Sequence, residues 1–296
     1  MELDLASTRT ILVFYTTRRV RHIVYDTPEL SEERGLSMDE TPRSRRLGLL
    51  LGGISWVLTL LYFVDQIVAQ AAWTTHYSLM DNRVSDLGST ACGTTVANTY
   101  ICSPLHTVMN ATFVVTGLLI LAGLFLTRST WPRRRLTTCG LVLLGIAGLG
   151  TIVIGLSPEN VNVLVHLVGA LNIPAGNVAM ILLGLAIWPS RRGMAWFSLL
   201  SGIVGLLGLL AGPFLVILTR HGGGLAERIA LYPLILWLIV FGAVIVTRKL
   251  RARDDQESRP IQNRHSPATF AETCADEYER PKCQAEITSR ANAVGM

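Results

Sequence analysis

Six long apolar runs divide the chain, and charge closes each of them. Residues 47–64, 107–127, 136–158, 160–190, 193–219 and 229–247 contain no Lys, Arg, Asp or Glu. A helix needs roughly 20 apolar residues to cross the hydrocarbon core of a bilayer. Hydrocarbon offers the backbone no hydrogen-bond partner, so runs of this length are expected as helices that satisfy their own N–H and C=O groups. The predicted fold is all-α, a polytopic integral membrane bundle of six transmembrane helices over residues 47–250.

Composition narrows this further. Half of the 296 residues are hydrophobic and only 16% are charged. That excludes an ordinary soluble domain and a disordered chain. A net charge of +5 raises the question of nucleic acid, but the basic residues sit in short loops between apolar runs. Arg43, Arg45 and Arg46 precede the first run, and Arg128 with Arg133, Arg134 and Arg135 follows the second. Arg191 and Arg192 follow the fourth, and Arg248, Lys249, Arg251 and Arg253 follow the sixth. The alternate loops hold Arg83, Arg220 and Arg228, a bias of 13 against 3. The positive-inside rule then predicts both termini in the cytoplasm, a multi-pass protein of the cell membrane and no nucleic-acid partner.

Residues 1–46 are polar apart from Ile11–Tyr15, a run too short for a span or a signal peptide. They are expected as a flexible cytoplasmic arm, with translation starting at Met38 as the alternative. Residues 251–296 mix Asp, Glu, Arg, Pro, Ser and Gln, and are expected as a disordered cytoplasmic tail. Cys92 and Cys102 fall in the first external loop and are either bridged or two free thiols. Cys139 is expected in packing, and Cys274 and Cys283 as reduced thiols in the tail. Gly208 and Gly212 have the G-x-x-x-G spacing of close helix contact, within the chain or across a homodimer seam.

The polar residues near the external helix ends are the candidates for chemistry. Asp86 closes the turn Val84-Ser85-Asp86-Leu87-Gly88. His106 and Asn110 are four residues apart and share a helical face. Ser103-Pro104 precedes His106, just as Ser157-Pro158 precedes Glu159 and His166. Asn177 lies on nearly the same face as His166, about 16 Å deeper. Glu227 and Arg228 precede the sixth run, with Tyr232 and Pro233 in its first turn. Ionisable groups at membrane depth are costly, so they pair or face the bundle interior. Asp86, His106, Asn110, Glu159, His166, Glu227 and Arg228 are expected to converge in one pocket beneath the first external loop. Asp86, His106, Glu159 and His166 are the candidate catalytic groups. Ser85, Asn110, Asn177, Glu227, Arg228 and Tyr232 are the candidate substrate-binding groups. Two His with carboxylates also allow a divalent metal, though no H-E-x-x-H spacing is present. The cofactor is therefore left open. The plainer reading of each residue is structural: a turn cap at Ser85-Asp86, a loop carbonyl for His106, an ion pair at Glu227-Arg228.

Residues 47–247 resemble the bacterial six-helix membrane family catalogued as domain-of-unknown-function family 998. The matching pieces are Val84 to Gly88, Cys102-Ser103-Pro104-Leu105-His106 through Met109-Asn110, and Gly155 through Ser157-Pro158-Glu159-Asn160. They continue with His166, Gly169-Ala170, Glu227-Arg228 and Tyr232-Pro233. The resemblance implies the six-helix architecture and marks the external cluster as the family signature. Three functions fit the residues. The favoured one is an enzyme or binding protein for a lipid or polyprenyl-type substrate, whose tail lies between helices. Its partners would be membrane lipids or an amphipathic small molecule. A small-molecule transporter would line its path with Asp65 and Asn177, with a helix break at Pro174 and Gly176. A non-catalytic scaffold subunit is the third.

Overall fold

The computed structural model describes residues 42–94, 100–219 and 221–257. Residues 1–41, with Met38, and residues 258–296, with Cys274 and Cys283, lie outside the described part. Among the described residues, eight α-helices carry the fold: α1 (Pro42–Leu58), α2 (Leu61–Ala71), α3 (His106–Thr127), α4 (Arg135–Leu156), α5 (Val163–Gly169), α6 (Asn172–Ile187), α7 (Arg192–Thr219) and α8 (Gly223–Glu257). They form six membrane-spanning segments of 22 to 29 residues, α1 with α2 and α5 with α6 each making one. At 1.5 Å per residue such segments are about 33–44 Å long, enough to cross a bilayer.

Both interrupted spans have a local cause. In the first span, Thr59 Oγ1 donates to the Trp56 carbonyl at 2.7 Å, and Leu60 N donates to Val57 O at 3.0 Å. The hydroxyl competes for the helical acceptor and the turn tightens. In the fourth span the cause is Pro174, which has no N–H for the Ala170 carbonyl and crowds it with its ring. Ile173 N donates to Ala170 O instead, at 3.1 Å. The break therefore falls at Ala170–Leu171, a turn before the Pro174 and Gly176 positions that the sequence marks.

Each span packs on the next in chain order, and α8 returns against α1, closing an up-and-down ring, with α6 also touching α8 across it. Glycines set the close approaches. A Cβ on Gly208 would meet the backbone of Ala230 at 2.8 Å, and one on Gly212 would meet Ala226 Cβ at 3.0 Å. The Gly208–Gly212 pair thus lies in the seam between α7 and α8 of the same chain. Cys139 is exposed on α4 rather than packed inside.

Most of the buried apolar residues among those described fall into two clusters. One holds Trp56, Trp131, Trp237 and Phe241, toward the arginine-rich loops. The other holds Tyr62, Trp73, Val84, Leu87, Met109 and Phe113, toward the opposite end. Three boundaries differ from the sequence reading. Helix α8 begins at Gly223, so Glu227 and Arg228 lie inside it rather than before it, and Tyr232 and Pro233 come later than its first turn. Its other end runs on to Glu257, so helix continues past residue 251, where a disordered tail is expected. The chain enters helix at Pro42, inside the arm expected at 1–46.

Candidate functional site

The segment between α2 and α3 folds over the end of the bundle opposite the arginine-rich loops. Among its described residues the regular structure is a 3-10 turn at Ser85–Gly88 and a two-residue ladder pairing Gly93–Thr94 with Tyr100–Ile101. Its buried backbone groups need partners from elsewhere. Arg228, 5% exposed, supplies several. Its Nη1 donates to the carbonyls of Leu79 (3.0 Å), Asn82 (2.7 Å) and Gly224 (2.9 Å), and its Nη2 to the Tyr77 hydroxyl at 2.6 Å. Asn110 Nδ2 donates to the Gly88 carbonyl at 2.9 Å. A Cβ on Gly88 would collide with that same Asn110 side chain, so the turn requires glycine there. Cys92 and Cys102 are joined by a disulfide at the foot of the two-strand ladder.

These tethers present three carboxylates around one turn. The Arg83 N–H donates to Asp86 Oδ2 at 2.7 Å, and the Val84 N–H to Glu227 Oε2 at 2.7 Å. Ser85 Oγ donates to Glu159 Oε2 at 3.3 Å, and Arg83 pairs with Glu159 Oε1 at 3.3 Å. Burial is the main influence on Asp86 and pushes its pKa up to about 7, against the Arg83 N–H that lowers it, with Glu227 adding like-charge repulsion. A carboxyl shifted this far has the acidity suited to either a general acid or a general base near neutral pH. Asp81 is the opposite case. The Gly222 N–H, then Ser78 and His221, hold it below the usual carboxylate range despite some desolvation.

Asp86, Ser85, Glu159, Arg83 and Asp81 line a cavity of about 420 Å³, with Asn160, Ser89, His221 and the disulfide-bonded Cys92. Its apolar lining includes Val163 of α5 and Val216 of α7. Beside them the outer surface is strongly apolar, with Leu164 73% and Ile217 77% exposed. Ser85 also lines a second, smaller chamber of about 40 Å³, deeper in the bundle, together with His166 and Glu227.

Of the residues singled out in the sequence, Asp86, Glu159 and Ser85 meet in the larger cavity, while His166 and Glu227 face the smaller one. The other five line neither. His106 Nδ1 lies 3.0 Å from the Ser103 carbonyl and His166 Nδ1 lies 3.0 Å from the Ser157 carbonyl. A carbonyl only accepts, so Nδ1 carries the hydrogen in both, and each histidine closes its own Ser-Pro turn. A shared site for His106 and His166 is therefore not formed. Asn110 and Arg228 are taken up in holding the loop. Asn177 Nδ2 donates to Ile173 O and to Ala230 O, both at 2.9 Å, so it braces α6 against α8. Tyr232 accepts from Gln66 Nε2 at 2.5 Å. Asp65, the transport candidate, accepts from Thr112 Oγ1 at 2.7 Å and lines neither cavity.

Sequence reasoning missed Arg83, Asp81, His221 and Asn160 as cavity residues. Arg83 stands two positions before Ser85 and was open to the same argument. His221 and Asp81 carry no such signal, because a 3.2 Å contact across 140 residues brings them together. Among the described residues, no group of three or more His, Cys, Asp or Glu is arranged to hold a metal ion.

Six apolar spans in a closed ring, with a polar cavity at one end, define a multi-pass helical membrane protein. The chain belongs to the family described as Protein of unknown function (DUF998), whose model matches residues 56–244, from within α1 to within α8. Every residue of both cavities falls in that range. No curated protein and no solved structure matches the chain.

Proposed function

We propose that this protein binds the polar head of a membrane lipid, or of an amphipathic molecule with a polyprenyl-type tail, in the cavity around Asp86 and Glu159. One observation carries the reading. A buried carboxyl poised near neutral pH opens on a cavity whose lining continues into the outward-facing apolar surface of α5 and α7. The head group would meet Ser85, Asp86, Ser89 and Asn160, and the tail would lie beside Val163 and Val216. Pockets that join a few convergent polar groups to apolar walls are the usual form of such sites. Asp86 is placed to act as general acid or base on the head group, with Glu159 and Ser85 as its polar neighbours. The charge bias of the loops favours the external face of the cell membrane for this end, and the Cys92–Cys102 bridge fits an oxidising side. Transport has less support: the cavity is at the end of the bundle, and Asn177 and Asp65 are engaged elsewhere.

The test uses the full chain purified in mild detergent. Native mass spectrometry should find a retained amphipathic molecule, lost in Asp86→Asn and Glu159→Gln while the thermal unfolding transition persists. If wild type carries no more bound lipid than either variant, the reading fails.

A further inference from the structure

The smaller chamber is not used by this reading, and its polar lining is unusual. It holds about 40 Å³ and is lined by Tyr62, Ser85, Thr151, His166, Asn172 and Glu227 among apolar side chains. That is room for a small occupant of about water size. Asn172 Nδ2 donates to Thr151 Oγ1 at 3.0 Å, which fixes the amide and leaves Oδ1 without a partner among the described residues. Asn172 is 2% exposed. The Tyr62 hydroxyl, on a residue 1% exposed, also has no partner there. Thr151 gives its hydrogen to Ala147 O, and Ser85 gives its own to Glu159. His166 donates through Nδ1 to Ser157 O, so its free ring nitrogen is Nε2, an acceptor in the neutral imidazole.

The lining is therefore rich in acceptors and holds one carboxylate. Glu227 accepts from the Val84 N–H at 2.7 Å, and a carboxyl so enclosed either takes up a proton or holds its charge against a cation, which a neutral water does not replace. Arg228, next in the chain, turns its guanidinium to the loop carbonyls instead. The chamber also abuts the interruption of the fourth span, since Ala170, Asn172 and Ile173 line it. In secondary transporters, interrupted helices of this kind coordinate sodium ions or protons. A divalent ion needs more oxygen ligands and more negative charge than one carboxylate offers.

We propose that this chamber binds a single dehydrated monovalent cation of sodium size, ligated by Glu227, Asn172 Oδ1 and the Tyr62 hydroxyl. Ser85, shared with the larger cavity, marks the entry. The site stands independently of the head-group reading.

The experiment is thermal unfolding of the detergent-purified full chain in sodium, potassium or choline chloride at equal ionic strength. Sodium should raise the Tm saturably, by roughly 3 °C or more over choline. Glu227→Gln should abolish the sodium effect, and Asn172→Ala should weaken its half-saturation by roughly tenfold. If Glu227→Gln does not fold, Asn172→Ala carries the assignment. Identical transitions of the wild-type chain in all three salts would overturn the proposal, leaving a proton or water as occupant. So would a sodium effect that survives in both variants. Loss of the effect in Glu159→Gln would place the ion in the outer cavity and equally overturn it. A potassium response equal to that of sodium would overturn the size assignment.

Discussion

At the arginine-rich end of the bundle, Trp131 stacks on Phe241 at 5.7 Å, Trp237 lies 4.2 Å from Phe241, and Trp56 closes the group 5.9 Å from Trp237. Around that aromatic plug the loops are short, and Arg133, Arg134 and Arg135 are exposed. At the other end several charges are inside. Arg228 is buried among carbonyls, Asp86 and Glu227 accept from loop N–H groups, and Ser85 lies between two cavities. The difference follows from loop length. A short connection leaves few backbone groups to satisfy, so apolar packing alone seals that end. The long segment over the other end has little ladder of its own. Buried charges stand in for the missing secondary structure, and doing so leaves polar room between them.

Substitutions at the two ends should therefore fail in different ways. Trp237→Ala strikes the plug and removes the hydrogen bond from Trp237 Nε1 to Ser198 Oγ, 2.9 Å long. It should cost about 3–5 kcal/mol and lower the unfolding transition of the whole bundle, read by circular dichroism in detergent. A loss confined to the cavity end would break the comparison. Arg228→Ala should cost about 2–4 kcal/mol, because several buried carbonyls lose a charged donor. Limited proteolysis should then open the segment 77–83 first, while the aromatic end keeps its near-ultraviolet signal.

Asp86 sharpens the comparison through pH. Its folded pKa of about 7 lies above the ordinary value of 3.8, so the folded state holds this proton more tightly than the unfolded one. Its contribution to stability is complete below the unfolded value and is lost as pH rises through about 7. Wild type should lose roughly 2–3 kcal/mol relative to Asp86→Asn between pH 5 and pH 8, measured by denaturation at each pH. Parallel pH profiles for the two proteins would remove Asp86 as the titrating group. The smallest effect is expected from Arg83→Ala. Its pair with Glu159 is half exposed, so stability should change by less than about 1 kcal/mol. Retention of the bound amphipathic molecule should nevertheless fall, since Arg83 lines the cavity.

Much of the fold is legible in the sequence because hydrophobicity is additive along a span. Leu, Val and Ile over 20 or so positions decide for helix and membrane whatever their neighbours are. Boundaries set by charge are less legible. Glu227 and Arg228 look like the end of a span, yet α8 starts earlier, at Gly223, because both charges find backbone partners in the loop. Ser85 and Asp86, neighbours in one turn, line the same cavity. His106 and Asn110 line neither cavity, because helical spacing puts the two on one face but does not say what that face meets.

The sequence alone determined six spans, their order and the end at which polar residues gather, since these depend on composition over many residues. Tertiary structure alone decided which polar residues stay free. Asn110, Arg228 and Asn177 have the chemistry of ligand-binding groups but give their hydrogens to carbonyls at Gly88, Asn82 and Ala230. Asp81, His221 and Asn160 reach the cavity through contacts between distant segments. Hydrogen bonding saturates locally and at short range, so whether a side chain serves a neighbouring backbone or an open cavity depends on placement within a few tenths of an ångström. No spacing along a chain carries that information.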